Sequence, residues 1–321
     1  MSTGNNSLDT VQGNAVEQLT PLAEDYSGLR ILAVHAHPDD ESSKGAATMA
    51  AYVQRGARVM VATMTGGERG DVLNEVVKAN PAAWRDLPKV RREEMAAAQH
   101  ILGIEHRWIG FVDSGLPEGD PLPPLPWGCF ASLPLERAAA PLVQLVRQFR
   151  PHIILSYDEN GGYPHPDHIM SHKVAVEAYE KAGDSQAYPG TGEAWEPLKL
   201  YYDRAFNPER MKAFHQFLTD QGLESPFARW VALEMESDKG KLPPVSRHET
   251  TTRIPCSDYF ETRDRALLAH QSQVSPTDLF FAVSPDAQRS IWPWDDYSLI
   301  AARVPTTLPE YSFSEGINFS Q

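Results

Sequence analysis

The sequence predicts an α/β fold with a mostly parallel sheet, helices on both faces and a loop-rich C-terminal elaboration. From residue 30 to about residue 182, short apolar runs alternate with segments whose apolar residues recur every three or four positions. This strand–helix alternation is typical of parallel sheets. Beyond residue 182 the alternation weakens, and this indicates the elaboration.

Predicted strands and helices alternate from residue 30 to residue 112. RILAVHA (30–36) is a short apolar run and predicts a strand; SSKGAATMAAYVQRG (42–56) predicts a helix that begins at serine and ends at glycine. ARVMVATMT (57–65) is the next strand. KVRREEMAAAQHILG (89–103) is an amphipathic helix that also ends at glycine, and HRWIGFV (106–112) is a strand.

After a proline-rich loop, the same alternation continues. LERAAAPLVQLVRQFR (135–150) predicts a helix, PHIILSYD (151–158) a strand and HIMSHKVAVEAYEKAG (168–183) a helix. In the elaboration, PLKLYYDRAF predicts one more strand, and PERMKAFHQFLTDQG and CSDYFETRDRALLAHQSQ predict helices.

Composition limits the class of protein. The chain has 321 residues and a net charge of −14, which argues against general binding to nucleic acid or anionic membranes. Two distant cysteines indicate neither a thiolate zinc site nor a disulfide framework. Because no signal peptide or membrane span is evident, we expect a cytoplasmic protein. We expect a frayed extension over residues 1–28 and a single catalytic domain over residues 29–321, with the elaboration from about residue 183.

Two stretches follow predicted strands and carry unusually many ionisable residues. VHAHPDDES (34–42) follows the first strand, and YDENGGYPHPDHIMSH (157–172) follows the strand IILSY. Ligands of open α/β sheets bind at the carboxyl ends of strands, where the strand order reverses. If these two strands are neighbours, the stretches face each other across that crevice.

The combined stretches indicate a metal site. Imidazole nitrogens plus a carboxylate, with one position open, are the pattern of a catalytic zinc site. Carboxylate ligation also suits Fe(II) or Mn(II). In HPDD, one aspartate can hold the metal while its neighbour takes a proton from water. Each stretch alone has a simpler interpretation, because PDDES suits a capped helix start and HPDH an ordinary loop.

These motifs resemble those of the LmbE-like zinc deacetylase superfamily, related to the N-acetylglucosaminyl-phosphatidylinositol deacetylases. AHPDDE (36–41) and HPDH (165–168) both stand unbroken. VHAHPDDESSKGAAT, TGGERG, GFVDSGLPEGD and YDENGGYPHPDHI are most similar to the mycothiol S-conjugate amidases of actinobacteria. The resemblance runs from about Leu29 to about Trp294 and implies a Rossmann-like sheet with the site at the strand ends.

The resemblance also implies roles for individual residues. It makes His37, Asp40 and His168 the zinc ligands and Asp39 the general base. His165 would polarise or protonate at the tetrahedral intermediate, with Asp167 orienting its ring, and Tyr163 would reach the substrate carbonyl. A protonated His165 would give a bell-shaped pH profile whose alkaline limb depends on this residue.

Substrate contacts are implied at four further positions: Lys44, Asp71, Arg91 and Asp113. Arg91 could equally be a solvated helix charge, and Asp113 an acid in a turn. Asp71 departs from the family pattern, in which glutamate follows ERG. Lys44 belongs to the amidase pattern; if the helix begins near Ser42, it lies at the lip of the crevice, where its ammonium could bind the acyl part.

The implied function is a zinc-dependent amidase that cleaves mycothiol S-conjugates to a mercapturic acid and glucosaminyl-inositol. One alternative is deacetylation of N-acetylglucosaminyl-inositol. An alternative of another class is a non-catalytic protein that binds sugar or metal. Asp39 argues against that binder, because a ligand site has no need of a second, non-ligating carboxylate.

Overall fold

The computed structural model describes residues 20–238 and 248–319, which contain one seven-stranded sheet. Its strands are β1 (Arg30–His35), β2 (Arg58–Thr65), β3 (Glu105–Phe111), β4 (Ile153–Ser156), β5 (Lys199–Asp203), β6 (Thr252–Pro255) and β7 (Trp294–Ala302). The order along the sheet is β3-β2-β1-β4-β5-β7-β6. Strands β1 to β5 pair in parallel, and β7 pairs antiparallel with β5 and β6. The predicted mostly parallel sheet is confirmed.

Helices cover both faces of this sheet, as predicted. They are α1 (Asp40–Ser43), α2 (Ala46–Gln54), α3 (Glu75–Lys78), α4 (Pro81–Arg85), α5 (Leu87–Leu102), α6 (Leu135–Phe149), α7 (Pro166–Lys181), α8 (Pro208–Asp220), α9 (Ala228–Asp238), α10 (Phe260–Ala269) and α11 (Pro285–Ile291). Residues of α2, α5 and α10 pack on one face, and those of α6 and α7 on the other. Among the described residues, no helix is long and apolar enough to cross a membrane.

Side chains along β1 alternate between two apolar cores. Ile31 and Ala33 pack in the core with α2 and α5, whereas Leu32 and Val34 pack in the core with α6 and α7. Because both faces of the strand are covered, a continuous apolar run is favoured over an alternating one. A third, smaller core joins α8 and α11 to Trp292 and Trp294 in the elaboration.

The helix predicted over residues 42–56 is divided into two. Gly45 interrupts it with a φ of 83°, and a Cβ at this position would lie 2.5 Å from the hydroxyl of Tyr297. The close approach of β7 therefore requires glycine here. Strand β7 itself was missed, because Asp295 and Asp296 interrupt its apolar pattern; both are buried and accept hydrogen bonds from neighbouring side chains.

Part of the predicted N-terminal extension packs on the fold. Residues 1–19 lie outside the described residues. Leu22 and Tyr26 are buried, and the Tyr26 hydroxyl hydrogen-bonds with Ser312 Oγ at 3.0 Å. The prediction of a frayed segment is therefore wrong for residues 22–28. The single catalytic domain over residues 29–321 stays a prediction.

A buried ion pair links β5 to the C-terminal segment and gives a stability prediction. Lys199 and Glu310 are paired with both side chains fully buried. We expect Lys199→Met to lower the free energy of unfolding by about 3–5 kcal/mol, because the Glu310 carboxylate loses its counter-charge. The control Arg58→Met breaks the exposed Arg58–Glu105 pair and should cost at most about 1 kcal/mol. Equal losses in urea denaturation would contradict this assignment.

Candidate metal centre

The two ionisable stretches meet at one edge of the sheet. Strand β1 pairs directly with β4, and the strand order reverses between them. The first stretch leaves the carboxyl end of β1 and enters α1, while the second leaves β4 and enters α7. The expected adjacency of these strands is confirmed. It brings His37 and His168 into contact although they are 131 residues apart in the sequence.

Three donor atoms converge there. His37 Nδ1 and His168 Nε2 are 3.3 Å apart, and each lies 3.5 Å from Asp40 Oδ2. All three side chains are buried. Two imidazole nitrogens and a carboxylate at this spacing fit around a single metal ion. His165 adds another imidazole, since ligand atoms of His37, His165 and His168 lie within 4.8 Å of one another.

The surroundings orient the two rings for this use. His168 Nδ1 lies 2.9 Å from the carbonyl oxygen of Gly161, so Nδ1 carries the hydrogen and Nε2 keeps its lone pair. A Cβ at Gly161 would come within 2.6 Å of His168 Cβ, so this close approach requires glycine. His37 Nε2 faces carboxylate oxygens of Asp113 and Asp167, each at 3.5 Å. Both histidines thus turn one nitrogen towards the same point.

Asp39 and Asp40 are adjacent but differ in their electrostatic environment. Burial raises the pKa of Asp39 above its ordinary value, although Arg91 acts in the opposite direction. Burial alone would also raise the pKa of Asp40, but the Lys44 ammonium and the two nearby histidines hold this pKa well below the usual range. Asp40 is therefore an anion suited to hold a cation, and Asp39 is the stronger base.

The backbone of Asp39 is held in a left-handed conformation, with a φ of 107°. Arg91 donates to Asp39 Oδ2 at 2.9 Å and also to the carbonyl oxygen of Pro38. The N–H of Asp39 donates to Glu41 Oε2 at 2.9 Å, and His270 Nε2 donates to Glu41 Oε1 at 2.7 Å. Such a conformation costs about 1–3 kcal/mol and persists only where surrounding contacts fix it.

The environment of His165 favours one of the two roles expected for it, polarisation by a neutral ring. Its Nδ1 accepts a hydrogen bond from the backbone N–H of Asp167 at 3.1 Å, so Nε2 carries the hydrogen of the neutral ring. Burial and the charge of His37 lower the pKa of His165 to about 4, which disagrees with a protonated acid. The Asp167 carboxylate accepts from the N–H groups of Ser114 and Ala131, so Asp167 orients His165 through its backbone.

Lys44 does not lie at the lip of the crevice. Its side chain is buried, and its ammonium donates to Asp40 Oδ1 at 2.5 Å. Although burial disfavours the ammonium, Asp40 and Asp203 raise the pKa of Lys44. The predicted position at the lip is therefore wrong, because this cation is buried and paired, and it affects the site through Asp40; its contact with substrate stays a prediction.

The other predicted substrate contacts differ in how far they are exposed. Arg91 is 3% exposed and is not a solvated helix charge. Asp113 is buried, and its oxygens accept from the N–H groups of Arg69 and Gly115, yet both Arg91 and Asp113 also line the cavity on which Asp71 lies, so their substrate contacts stay predictions. Asp71 is exposed on a cavity of about 450 Å³ that also reaches Asp39, His165 and Tyr163. This cavity is the candidate substrate site.

Two residues of the site were not predicted. The Tyr157 hydroxyl donates to Asp40 Oδ2 at 2.7 Å and accepts from the N–H of Ala36 at 2.8 Å. His270 reaches Glu41 from the end of α10. Tyr157 is the first residue of the second stretch, but no local pattern distinguishes its hydroxyl from that of an ordinary core tyrosine.

The chain matches a known protein family over the region that holds both stretches. The family model described as GlcNAc-PI de-N-acetylase (PIG-L) matches residues 32–179, which include both stretches. A mycothiol S-conjugate amidase of Streptomyces coelicolor is 50% identical over 291 residues, covering 90% of this chain and 97% of that protein. The chain belongs to the PIG-L family. The resemblance seen in the motifs is thereby confirmed.

Other similar proteins are more distant. A 1D-myo-inositol 2-acetamido-2-deoxy-alpha-D-glucopyranoside deacetylase of Streptomyces scabiei is 35% identical over 300 residues and covers 90% of each chain. The N,N'-diacetylchitobiose deacetylase structure from Pyrococcus horikoshii superimposes with a TM-score of 0.55 at 15% identity, covering 84% of this chain and 83% of that one. This last likeness supports the shared fold.

Metal analysis can separate the ligands from the base. We expect His168→Ala to lose bound metal and activity together, because it removes a converging donor atom. Asp39→Asn should keep its metal and its left-handed backbone, which asparagine tolerates, but lose about 10²–10⁴ in turnover. Metal content is measured on purified protein by atomic emission. An empty Asp39→Asn variant, or a fully loaded His168→Ala variant, would contradict these roles.

Proposed function

We propose that this PIG-L family member is a zinc-dependent amidase that hydrolyses the amide bond of mycothiol S-conjugates. Its products are a mercapturic acid and glucosaminyl-inositol, and its role is thiol-dependent detoxification. The observation that carries the amide chemistry is the pairing of a low-pKa aspartate with a raised-pKa neighbour at one cluster of donor atoms. The 50% identity to an amidase, against 35% to a deacetylase, supports the substrate.

His37, Asp40 and His168 would hold the metal, for which zinc is proposed; the same donors also suit Fe(II). When bound, the ion would supply Lewis acidity to the substrate carbonyl and acidity to the attacking water. Asp39, His165 and Tyr163 have separate proposed roles around this metal ion. The cytoplasmic location stays a prediction.

Asp39 is the proposed general base. Its raised pKa makes it a better proton acceptor, and Arg91 fixes the carboxylate at 2.9 Å. It takes a proton from water as the oxygen adds to the carbonyl carbon. When the C–N bond breaks, the amine nitrogen needs a proton, and protonated Asp39 is the group able to return it.

His165 and Tyr163 are the proposed donors to the carbonyl oxygen. The neutral His165 ring carries its hydrogen on Nε2, and hydrogen-bond donors aimed at an oxygen that gains negative charge lower the barrier. The Tyr163 ring centroid lies 4.6 Å from that of His168, and the side chain is 42% exposed. Tyr163 therefore combines proximity to the centre with access to substrate.

Substrate preference tests the function. We expect the metal-loaded enzyme to release primary amine from a mycothiol bimane conjugate with a higher kcat/KM than it releases acetate from N-acetylglucosaminyl-inositol. A chelator should abolish both reactions, and added zinc should restore them. Faster acetate release would favour the deacetylase. Absence of both reactions in the loaded protein would favour a binding protein.

The pH profile tests the role of His165. A histidine whose pKa is lowered to about 4 is already neutral throughout the assay range and cannot titrate on its alkaline side. We expect His165→Ala to reduce kcat by about 10²–10³ through the loss of one donor. Between about pH 6 and pH 9, the alkaline limb of kcat should keep its position. A limb that disappears in this variant would show that His165 is protonated in the working enzyme.

A further inference from the structure

A second cavity lies beside the candidate substrate site and shares one residue with it. Its volume is about 470 Å³, close to that of the first cavity. Tyr163 lines both cavities. The two cavities therefore border the same tyrosine, and the second is large enough to hold part of a ligand.

The second cavity, called here the apolar cavity, is chemically unlike the first. Among the residues that the structure describes, the side chains that line it carry no ionisable group apart from the Tyr163 hydroxyl: Tyr163, Phe206, Pro208, Met211, Trp230 and Leu233. The candidate substrate site, in contrast, includes Arg69, Asp71, Glu118 and Gln273. The two cavities thus suit the two ends of an amphipathic molecule.

The wall of the apolar cavity is built by packed elements. Met211 lies on α8 and is buried. Trp230 and Leu233 are three positions apart on α9 and therefore share a helix face. The Phe206 and Trp230 rings meet at 74°, with centroids 6.3 Å apart. Leu233 remains 41% exposed, so apolar surface is open to a ligand.

We propose that the apolar cavity binds the S-substituent of the conjugate and makes the enzyme selective for apolar substituents. This inference rests on the proposed amidase function. The amide to be cleaved separates a polyhydroxylated half, which requires polar partners, from the cysteinyl half. The sulfur is attached to the β-carbon of the acyl part, so its substituent begins a short distance beyond the carbonyl. With the sugar in the polar cavity, the substituent passes Tyr163 and enters the apolar one.

Leu233→Asp tests this assignment by placing a charge on the cavity wall at an exposed position. We expect its kcat/KM for an S-benzyl conjugate of mycothiol to fall about tenfold or more relative to that for an S-methyl conjugate. Leu233→Ala should change the same ratio in the same direction but less. The control Leu223→Asp makes the same substitution at a leucine that is 53% exposed and lies outside the cavity lining. It should leave the ratio unchanged.

A binding measurement keeps this test separate from the proposed function. Calorimetry on the metal-loaded protein should show that N-acetyl-S-benzylcysteine binds more tightly than N-acetylcysteine, and that Leu233→Asp removes the difference. Equal binding of the two compounds to the wild type, or an unchanged substrate ratio in Leu233→Asp, would overturn the apolar cavity as the subsite. Failure to cleave either conjugate while acetate is released would instead overturn the amidase proposal.

Discussion

The parallel pairing of β1 with β4 is the contact on which the site depends. Neither stretch alone supplies a complete donor set, because His37 and Asp40 come from one strand end and His168 from the other. The pairing brings their donor atoms within 3.5 Å. Burial of both strands on both faces fixes this register, since a slip would move apolar side chains out of their cores.

The charge distribution around the donors follows from this placement. Asp40 receives the Lys44 ammonium on one oxygen and the Tyr157 hydroxyl on the other. The Asp39 carboxylate accepts a hydrogen bond from Arg91, and the Asp39 backbone N–H donates to Glu41. Asp39 and Asp40 therefore have pKa values shifted in opposite directions, because their partners differ. One carboxylate can hold a cation while the other remains available for proton transfer.

The sequence predicted those features that depend on local pattern. Strands β1 to β5, the strand-end stretches and their adjacency follow from periodicity and parallel topology. The environment of Lys44 could not be predicted, because its spacing from Asp40 suggested an exposed helix turn. The break at Gly45, imposed by Tyr297 from β7, leaves Lys44 buried beside Asp40. The Glu41–His270 pair joins residues 229 positions apart, and no periodic pattern marks it.

The C-terminal elaboration is part of the site because it neutralises or orients groups of the first half. Without His270, Glu41 would be a buried carboxylate without a counter-charge, an arrangement that typically costs about 3–5 kcal/mol. Asp295 accepts from the N–H and hydroxyl of Thr48 at the start of α2, and so fixes the turn that precedes it. The same elaboration supplies α8 and α9, the main wall of the apolar cavity. The motif-bearing half therefore provides the reacting groups, while the elaboration both holds them in place and sets which substituents fit beside them.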